Sequence, residues 1–333
     1  MHTQSLRSMG SAMVVAALAA APLAAQAPAA PAAPQVSVTG VAYLQYAYQD
    51  APVHTNSFDV TRAYVNVLGR FANGINTRVT VDVYRLAPDN SLQYRLKYAF
   101  FSWTPTGSSL TYKLGSIHTP LVDWEEALWD YRMQGAIALD RNGYLTSADF
   151  GAGIDGKWNN DQVNGQLTVV NGEGYSGGTG DFRKDIQARL SVRLRPTNDA
   201  SRVGGLRVTG YAGVGKFTGG TDRNRYVGMF SYRSQQITLA GEFSSIKDAA
   251  ITRSLLSAFG VYHFNGGKVA AIARVDLRDP DTNVGNDRDT RIIAGLSYQL
   301  SPNVRLLADL DRLAFQSGAT ARNTGLLQAQ FTF

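Results

Sequence analysis

From Val36 to the C-terminus, hydrophobic and polar positions alternate in run after run. Leu92, Tyr94, Leu96, Tyr98 and Phe100 alternate with Gln93, Arg95, Lys97 and Ala99; Ile186, Ala188, Leu190, Val192 and Leu194 alternate with Gln187, Arg189, Ser191, Arg193 and Arg195. The pattern returns at 268–278 and 291–300. Period two marks strands with two unlike faces. It predicts sixteen of them, at 36–49, 57–71, 75–87, 92–104, 109–118, 144–159, 162–171, 183–195, 204–217, 224–233, 236–246, 251–264, 268–279, 287–300, 303–316 and 320–333. Strand 251–264 resists phasing, because Leu255, Phe259 and Val261 oppose Leu256, Ala258 and Tyr262.

Connectors after even-numbered strands are mostly tight turns, such as Ala72-Asn73-Gly74 and Ser301-Pro302. Those after odd-numbered strands include the long ones: 51–56, 119–143, 172–182 and 280–286. No stretch beyond Val36 is apolar enough to cross a bilayer as a helix. The expected fold is therefore all-β: a transmembrane antiparallel up-and-down β-barrel of about sixteen strands, with short periplasmic turns and no unpaired edge in lipid. A secreted β-sandwich or propeller, burying its apolar faces against another sheet, is the soluble alternative. In the last strand Gly325, Leu327, Ala329, Phe331 and Phe333 share one face and the chain stops on Phe333. That ending resembles the signal read by the outer-membrane barrel assembly machinery, which makes Phe331 and Phe333 the candidate assembly signal and that machinery an expected partner.

Residues 1–25 combine a weakly basic start, an apolar stretch from about Ala12 to Leu23 and a Leu23-Ala24-Ala25 ending. This reads as a cleaved secretory signal peptide, too short to span a bilayer; a retained helical anchor is the alternative. Residues 26–35, Ala and Pro in their interior, read as a linker and 36–333 as the barrel.

If the apolar faces meet lipid, the polar faces line a lumen, since a charge facing lipid near the midplane costs about 2–4 kcal/mol. This phasing turns Arg62, Arg78, Arg95, Lys97, Lys113, Arg189, Arg193, Arg274, Arg291 and Arg305 inward, with fewer acidic residues among them, and argues against an apolar plug. The longest connector, 119–143, carries Asp123, Glu125, Glu126, Asp130 and Asp140 among Leu121, Trp124, Leu128, Trp129 and Tyr131. A loop with two Trp is too apolar to stand in water. It is expected to fold into the barrel and set Asp123, Glu125, Glu126 and Asp130 against the arginine-lined wall as a constriction; packing its Trp residues over the rim is the alternative.

Composition removes other functions. The chain of 333 residues has no Cys, hence no disulfide framework, Cys-ligated zinc or thiol nucleophile. Its net charge of +6 is dispersed without a Lys/Arg run, which argues against a nucleic-acid partner. Gly174-Tyr175-Ser176-Gly177-Gly178 fits a nucleophile elbow and Gly172 to Gly177 a dinucleotide fingerprint, but neither opens a helix. The stretch from Gly210 to Lys216 has phosphate-loop spacing but continues with Phe217 where Ser or Thr is needed. His54, His118 and His263 lack metal-ligand spacing; a His118–Asp123 pair at the rim, as in a membrane hydrolase, is the remote enzymatic alternative. No catalytic residue, cofactor or metal is expected.

Phe58 to Val67, Lys113 to Pro120 leading into Trp129-Asp130-Tyr131-Arg132, Asp149-Phe150-Gly151, and Val169 to Gly174 together resemble the phosphate-selective porin O/P family of Gram-negative outer membranes. The resemblance covers about residues 57–174 and is architectural beyond them. It implies a sixteen-stranded, trimeric, passive pore, and associates Arg62, Arg95, Lys97, Lys113 and Arg132 with permeation. The acidic long loop departs from the lysine-rich constriction of that group's anion-specific members. The expected function is passive diffusion of small hydrophilic solutes or ions, with anions favoured by the basic lumen. The alternative is a non-conducting structural or adhesive barrel, against which the mostly short loops argue.

Overall fold

The computed structural model describes residues 33–333 apart from 87–88, 178–180 and 265; the predicted signal peptide and most of the linker lie outside the described residues. Sixteen strands run in chain order: β1 Gln35–Gln49, β2 Thr55–Arg70, β3 Ile75–Arg85, β4 Leu92–Trp103, β5 Leu110–His118, β6 Ala148–Trp158, β7 Val163–Val170, β8 Asp185–Arg195, β9 Gly205–Lys216, β10 Asp222–Arg233, β11 Ile237–Asp248, β12 Ile251–His263, β13 Val269–Asp279, β14 Asp289–Ser301, β15 Val304–Phe315 and β16 Arg322–Thr332. Each pairs antiparallel with its chain neighbours, and β16 pairs with β1 to close the barrel. The closure is drawn tight at the C-terminus. Gly40 N–H donates to Phe333 O at 2.8 Å, Phe333 N–H donates to Gly40 O at 3.1 Å, and the Phe333 ring lies over Gly40, where a Cβ would stand 2.2 Å from it.

The outward face is apolar and exposed, as at Leu190, Leu296 and Leu310, and the aromatic side chains of Phe71, Trp103, Tyr112, Trp158 and Phe333 ring the short-turn end. One connector breaks the rule of length. At the short-turn end, 196–204 between β8 and β9 is long and folds inward, with Val203 buried.

Two local features alter the predicted phasing. In the β3–β4 ladder Thr80 pairs with Tyr98 but Val81 with Leu96, so Lys97 is an extra, bulged residue. A bulge shifts every later side chain to the other face. Tyr98 is therefore buried in the lumen, and it is Ala99, Phe101 and Trp103 that continue the outward face. In β12 the ambiguity resolves with Leu255, Phe259 and Val261 buried inside and Leu256 and Tyr262 exposed outside.

The inner side of β12 is apolar because something apolar packs on it. Connector 119–147 turns into the barrel, forming α1 Val122–Leu128 and α2 Ala138–Arg141. Its Leu121, Val122, Trp124, Leu128, Trp129, Tyr131, Ile137 and Leu139 are buried in one cluster with inward Val227, Met229, Leu255, Phe259, Ile272, Ile293 and Leu307. The expectation of a lumen free of apolar filling fails here. Part of the interior is a hydrophobic core, in which each fully buried large side chain stabilises by about 1.5–3 kcal/mol.

Candidate functional site: a charged eyelet between loop and wall

The loop owes its placement to two unlike faces. Along α1, Leu121, Trp124, Glu125 and Leu128 fall on one side at helical spacing, while Asp123 and Glu126 fall on the other, continued by Asp130 past the helix end. The first side is buried against the wall. The second lines a cavity of about 250 Å³ together with Trp129 and Arg132, facing Tyr43, Tyr64, Arg78, Lys97, Tyr98, His118 and Gln330.

A chain crossing a barrel has backbone carbonyls with no strand partner, and they need donors. Wall arginines supply them. Arg189 Nε donates to Pro120 O at 3.0 Å, Arg233 to Ala127 O at 2.6 Å, Arg305 to Asp130 O at 2.8 Å, Arg274 to Ala136 O at 2.9 Å and Arg225 to Tyr144 O at 2.8 Å. Gln328 donates to Met133 O at 2.8 Å, and the Arg189 guanidinium stacks 3.9 Å from the centre of the Trp124 ring. Arg189 and Arg274, read from sequence as pore-lining, are buried against the loop and act as its anchors. Lys113 pairs with Asp155, Arg193 donates to Asn160 O at 2.5 Å, and Arg291 pairs with Asp311 at 2.6 Å. None of these three lines the eyelet.

Within the eyelet each loop carboxylate is paired with an arginine. Asp123 meets Arg202 at 2.7 Å, Glu126 meets Arg132 at 2.6 Å and Asp130 meets Arg305 at 3.2 Å, and Arg132 also reaches Asp140, outside the eyelet, at 3.2 Å. Arg202 comes from the inward-folded 196–204 connector, which sequence reasoning did not connect with the loop. The opposite wall differs. Arg78 donates to Thr80 at 2.9 Å and Asn66 at 3.0 Å, lies 3.0 Å from His118 Nε2, and sits 4.5 Å from the Tyr98 ring centre; Lys97 donates to Tyr64 Oη at 3.1 Å. Among the described residues, neither Arg78 nor Lys97 has a carboxylate within ion-pair distance. Arg62 and Arg95 flank them and share Asp82 at 3.2 and 2.9 Å, and Arg95 also donates to Tyr175 Oη at 2.7 Å. Tyr175 belongs to the Gly-rich segment 172–178, which thus contributes a phenol to the wall's polar network.

Glu125 does not face the eyelet. It is fully buried on the far side of α1, facing the Glu242 carboxyl of β11, with Arg274 and Asp276 of β13 alongside. Burial and the nearby Glu242 push the Glu125 carboxyl well above the usual carboxylate range. Asp123 goes the other way. Burial alone would raise it, but His118 and the charge and hydrogen bond of Arg202 hold it well below that range. His118 and Asp123 come within 3.9 Å, yet His118 Nε2 faces a guanidinium and not a hydroxyl, which is no arrangement for nucleophile activation.

No family model and no curated protein sequence matches the chain. Solved structures do match in fold. The OmpF of Salmonella typhi in complex with daunomycin superposes with a TM-score of 0.68 at 13% identity, over 90% of this chain and 97% of that one. An anion-selective porin from Comamonas acidovorans superposes with a TM-score of 0.67 at 13% identity, over 90% of this chain and all of that one. A trimer form of OmpT from Vibrio cholerae gives 0.61 at 12% identity, over 90% and 100%. The chain thus has the fold of sixteen-stranded porin barrels.

Proposed function

We propose that this chain is a porin of a Gram-negative outer membrane, passing small hydrophilic solutes by diffusion without chemistry, and that it favours anions. The observation that carries the reading is the eyelet. A loop held inside a closed barrel leaves a polar gap whose acidic side is neutralised residue by residue, while Arg78 and Lys97 face the gap without carboxylate partners. Fixed unpaired positive charge at a constriction raises the local concentration of anions and lowers that of cations. Arg62 and Arg95, two cations on the one carboxylate of Asp82, extend the field, whereas Lys113, Arg132, Arg189, Arg193, Arg274 and Arg291 serve the barrel and the loop.

The rest of the expected biology belongs to the same reading. Residues 1–25 direct export and are removed, and Phe331 and Phe333 present the assembly machinery with an aromatic ending seated on Gly40. The outer surface of β14–β16 and β1–β2 carries an apolar groove of about 990 Å³ lined by residues such as Leu44, Phe58, Leu296 and Leu327; with a trimeric fold neighbour, it supports a homotrimer in the lipid. The resemblance to phosphate-selective porins extends the proposal to phosphate as one permeant anion. Liposome swelling tests the pore against the non-conducting structural barrel: vesicles holding the refolded protein swell in iso-osmotic arabinose, and vesicles that stay shut with heat-modifiable, folded protein would contradict it.

A further inference from the structure

A second cavity of about 290 Å³ lies on the other side of the loop and shares no lining residue with the eyelet. Its walls come from Asp149 of β6, the inner faces of β8–β11, the end of the inward loop at 143–146 and the segment at 172–173. This volume is near the lower edge of the roughly 300–1,000 Å³ of small-molecule sites.

The charges around it do not cancel. Arg223 is held by Asp185 at 2.9 Å, and Asp248 takes both Arg225 at 2.7 Å and Arg253 at 2.5 Å. Asp149 and Glu173 remain, and among the described residues no cation lies within ion-pair distance of either. Asp149 accepts the backbone N–H groups of Phe150 at 2.7 Å and Gly172 at 2.8 Å, which fix it in place without neutralising it. Buried acceptors are also left open: among the described residues, Glu173 Oε2, Gln187 Oε1 and the Tyr211 hydroxyl have no hydrogen-bond partner. Gln187 and Tyr211 are 6% and 5% exposed. Gly213 makes room for the Tyr211 hydroxyl, which lies 2.6 Å from where a Cβ at that position would stand. The ring of Tyr144 adds an apolar face.

Buried polar atoms without partners are costly, and a native site that keeps several beside an empty volume is built for a ligand that satisfies them. We infer that this alcove binds a small polyhydroxylated cation bearing a primary ammonium, an amino sugar in size and chemistry. The ammonium lies between Glu173 and Asp149, the hydroxyls meet Gln187 and Tyr211, and the ring stacks on the aromatic wall. The site is separate from the eyelet, so it stands whether or not the barrel conducts.

Saturation-transfer NMR titration of the refolded full chain in detergent micelles, with D-glucosamine and D-glucose as probes at fixed ionic strength, tests the assignment. One charge-assisted contact predicts that glucosamine binds about tenfold more tightly than glucose. Glu173→Gln removes that preference, Tyr211→Phe weakens both sugars severalfold, and Glu126→Gln in the eyelet changes neither. Absence of glucosamine binding, equal binding of both sugars, a preference that survives Glu173→Gln, or one lost in Glu126→Gln overturns it. Should Glu173→Gln fail to show the heat-modifiable migration of folded barrel, Asp149→Asn takes its place with the same expected loss. Swelling assays on the same preparations keep this outcome apart from that of the pore.

Discussion

The two sides of the inward loop use the same kinds of residue for opposite purposes. Toward β8–β15, buried and half-buried arginines donate to loop carbonyls and surround an apolar core built on Trp124 and Trp129. Toward β2–β4, Arg78 and Lys97 stand across a gap from the loop with phenol, amide, hydroxyl and imidazole neighbours and, among the described residues, no carboxylate at ion-pair distance. A basic lumen is thus two populations: cations that position a loop, and cations that act on what passes. Charge counts along strands cannot separate them, because both alternate with apolar residues at the same period.

The comparison breaks most visibly at the anchored side. Trp129 is fully buried and its ring centre lies 5.2 Å from that of Phe259. Trp129→Ala is expected to cost about 3–5 kcal/mol and to free the loop. Thermal unfolding of the heat-modifiable form should fall, and single-channel recordings should show larger, noisier steps. On the open side the effect moves from stability to selectivity. Arg78→Gln with Lys97→Gln, at a buried lysine and a half-buried arginine, should lower stability by about 1–2 kcal/mol, less than Trp129→Ala, while the reversal potential crosses from the anion side toward zero or beyond.

Two carboxylates on one short helix sharpen the contrast through pH. Glu125 on the anchored face has a raised folded-state pKa, so its contribution to stability is complete below the unfolded value near 4.5 and is lost as pH rises toward the folded value. Asp123 on the eyelet face has a depressed one, so its contribution is present above the unfolded value near 3.8 and is lost only in strong acid. Glu125→Gln should therefore flatten the decline in unfolding midpoint that sets in as pH rises above about 4.5 and leave ion selectivity unchanged. Asp123→Asn should leave that decline in place. The smallest effect is expected from Arg202→Ala, which removes a partly exposed partner of Asp123 and should lower stability by no more than about 1 kcal/mol. Its clearer readout is a shift of selectivity toward cations, since Asp123 then faces the eyelet uncompensated.

Much of this architecture was legible before any coordinate. Period two and the alternation of short and long connectors led to sixteen closed strands, and two Trp in an acidic connector led to a loop inside the barrel. The double-sided apolarity of β12 was the mark of the wall that receives that loop. Other features were hidden for physical reasons. The bulge at Lys97 sits before Tyr98-Ala99-Phe100-Phe101, where either phase presents apolar residues, so alternation could not reveal the flip. Helical spacing within 121–130 separates Glu125 from Asp123, Glu126 and Asp130, a signal that was available in the sequence. Arg202 and Tyr175 reach their partners from connectors whose inward folding has no one-dimensional signature.

The central claim is that Arg78 and Lys97 set the selectivity of the eyelet while the arginines that bond the inward loop hold structure. Reversal potential under a potassium chloride gradient, for single channels of the wild-type chain and of Arg78→Gln/Lys97→Gln, tests it most directly. The account predicts anion selectivity in the parent and its loss in the variant. Cation selectivity in the parent, or a reversal potential that the two substitutions leave in place, would contradict it.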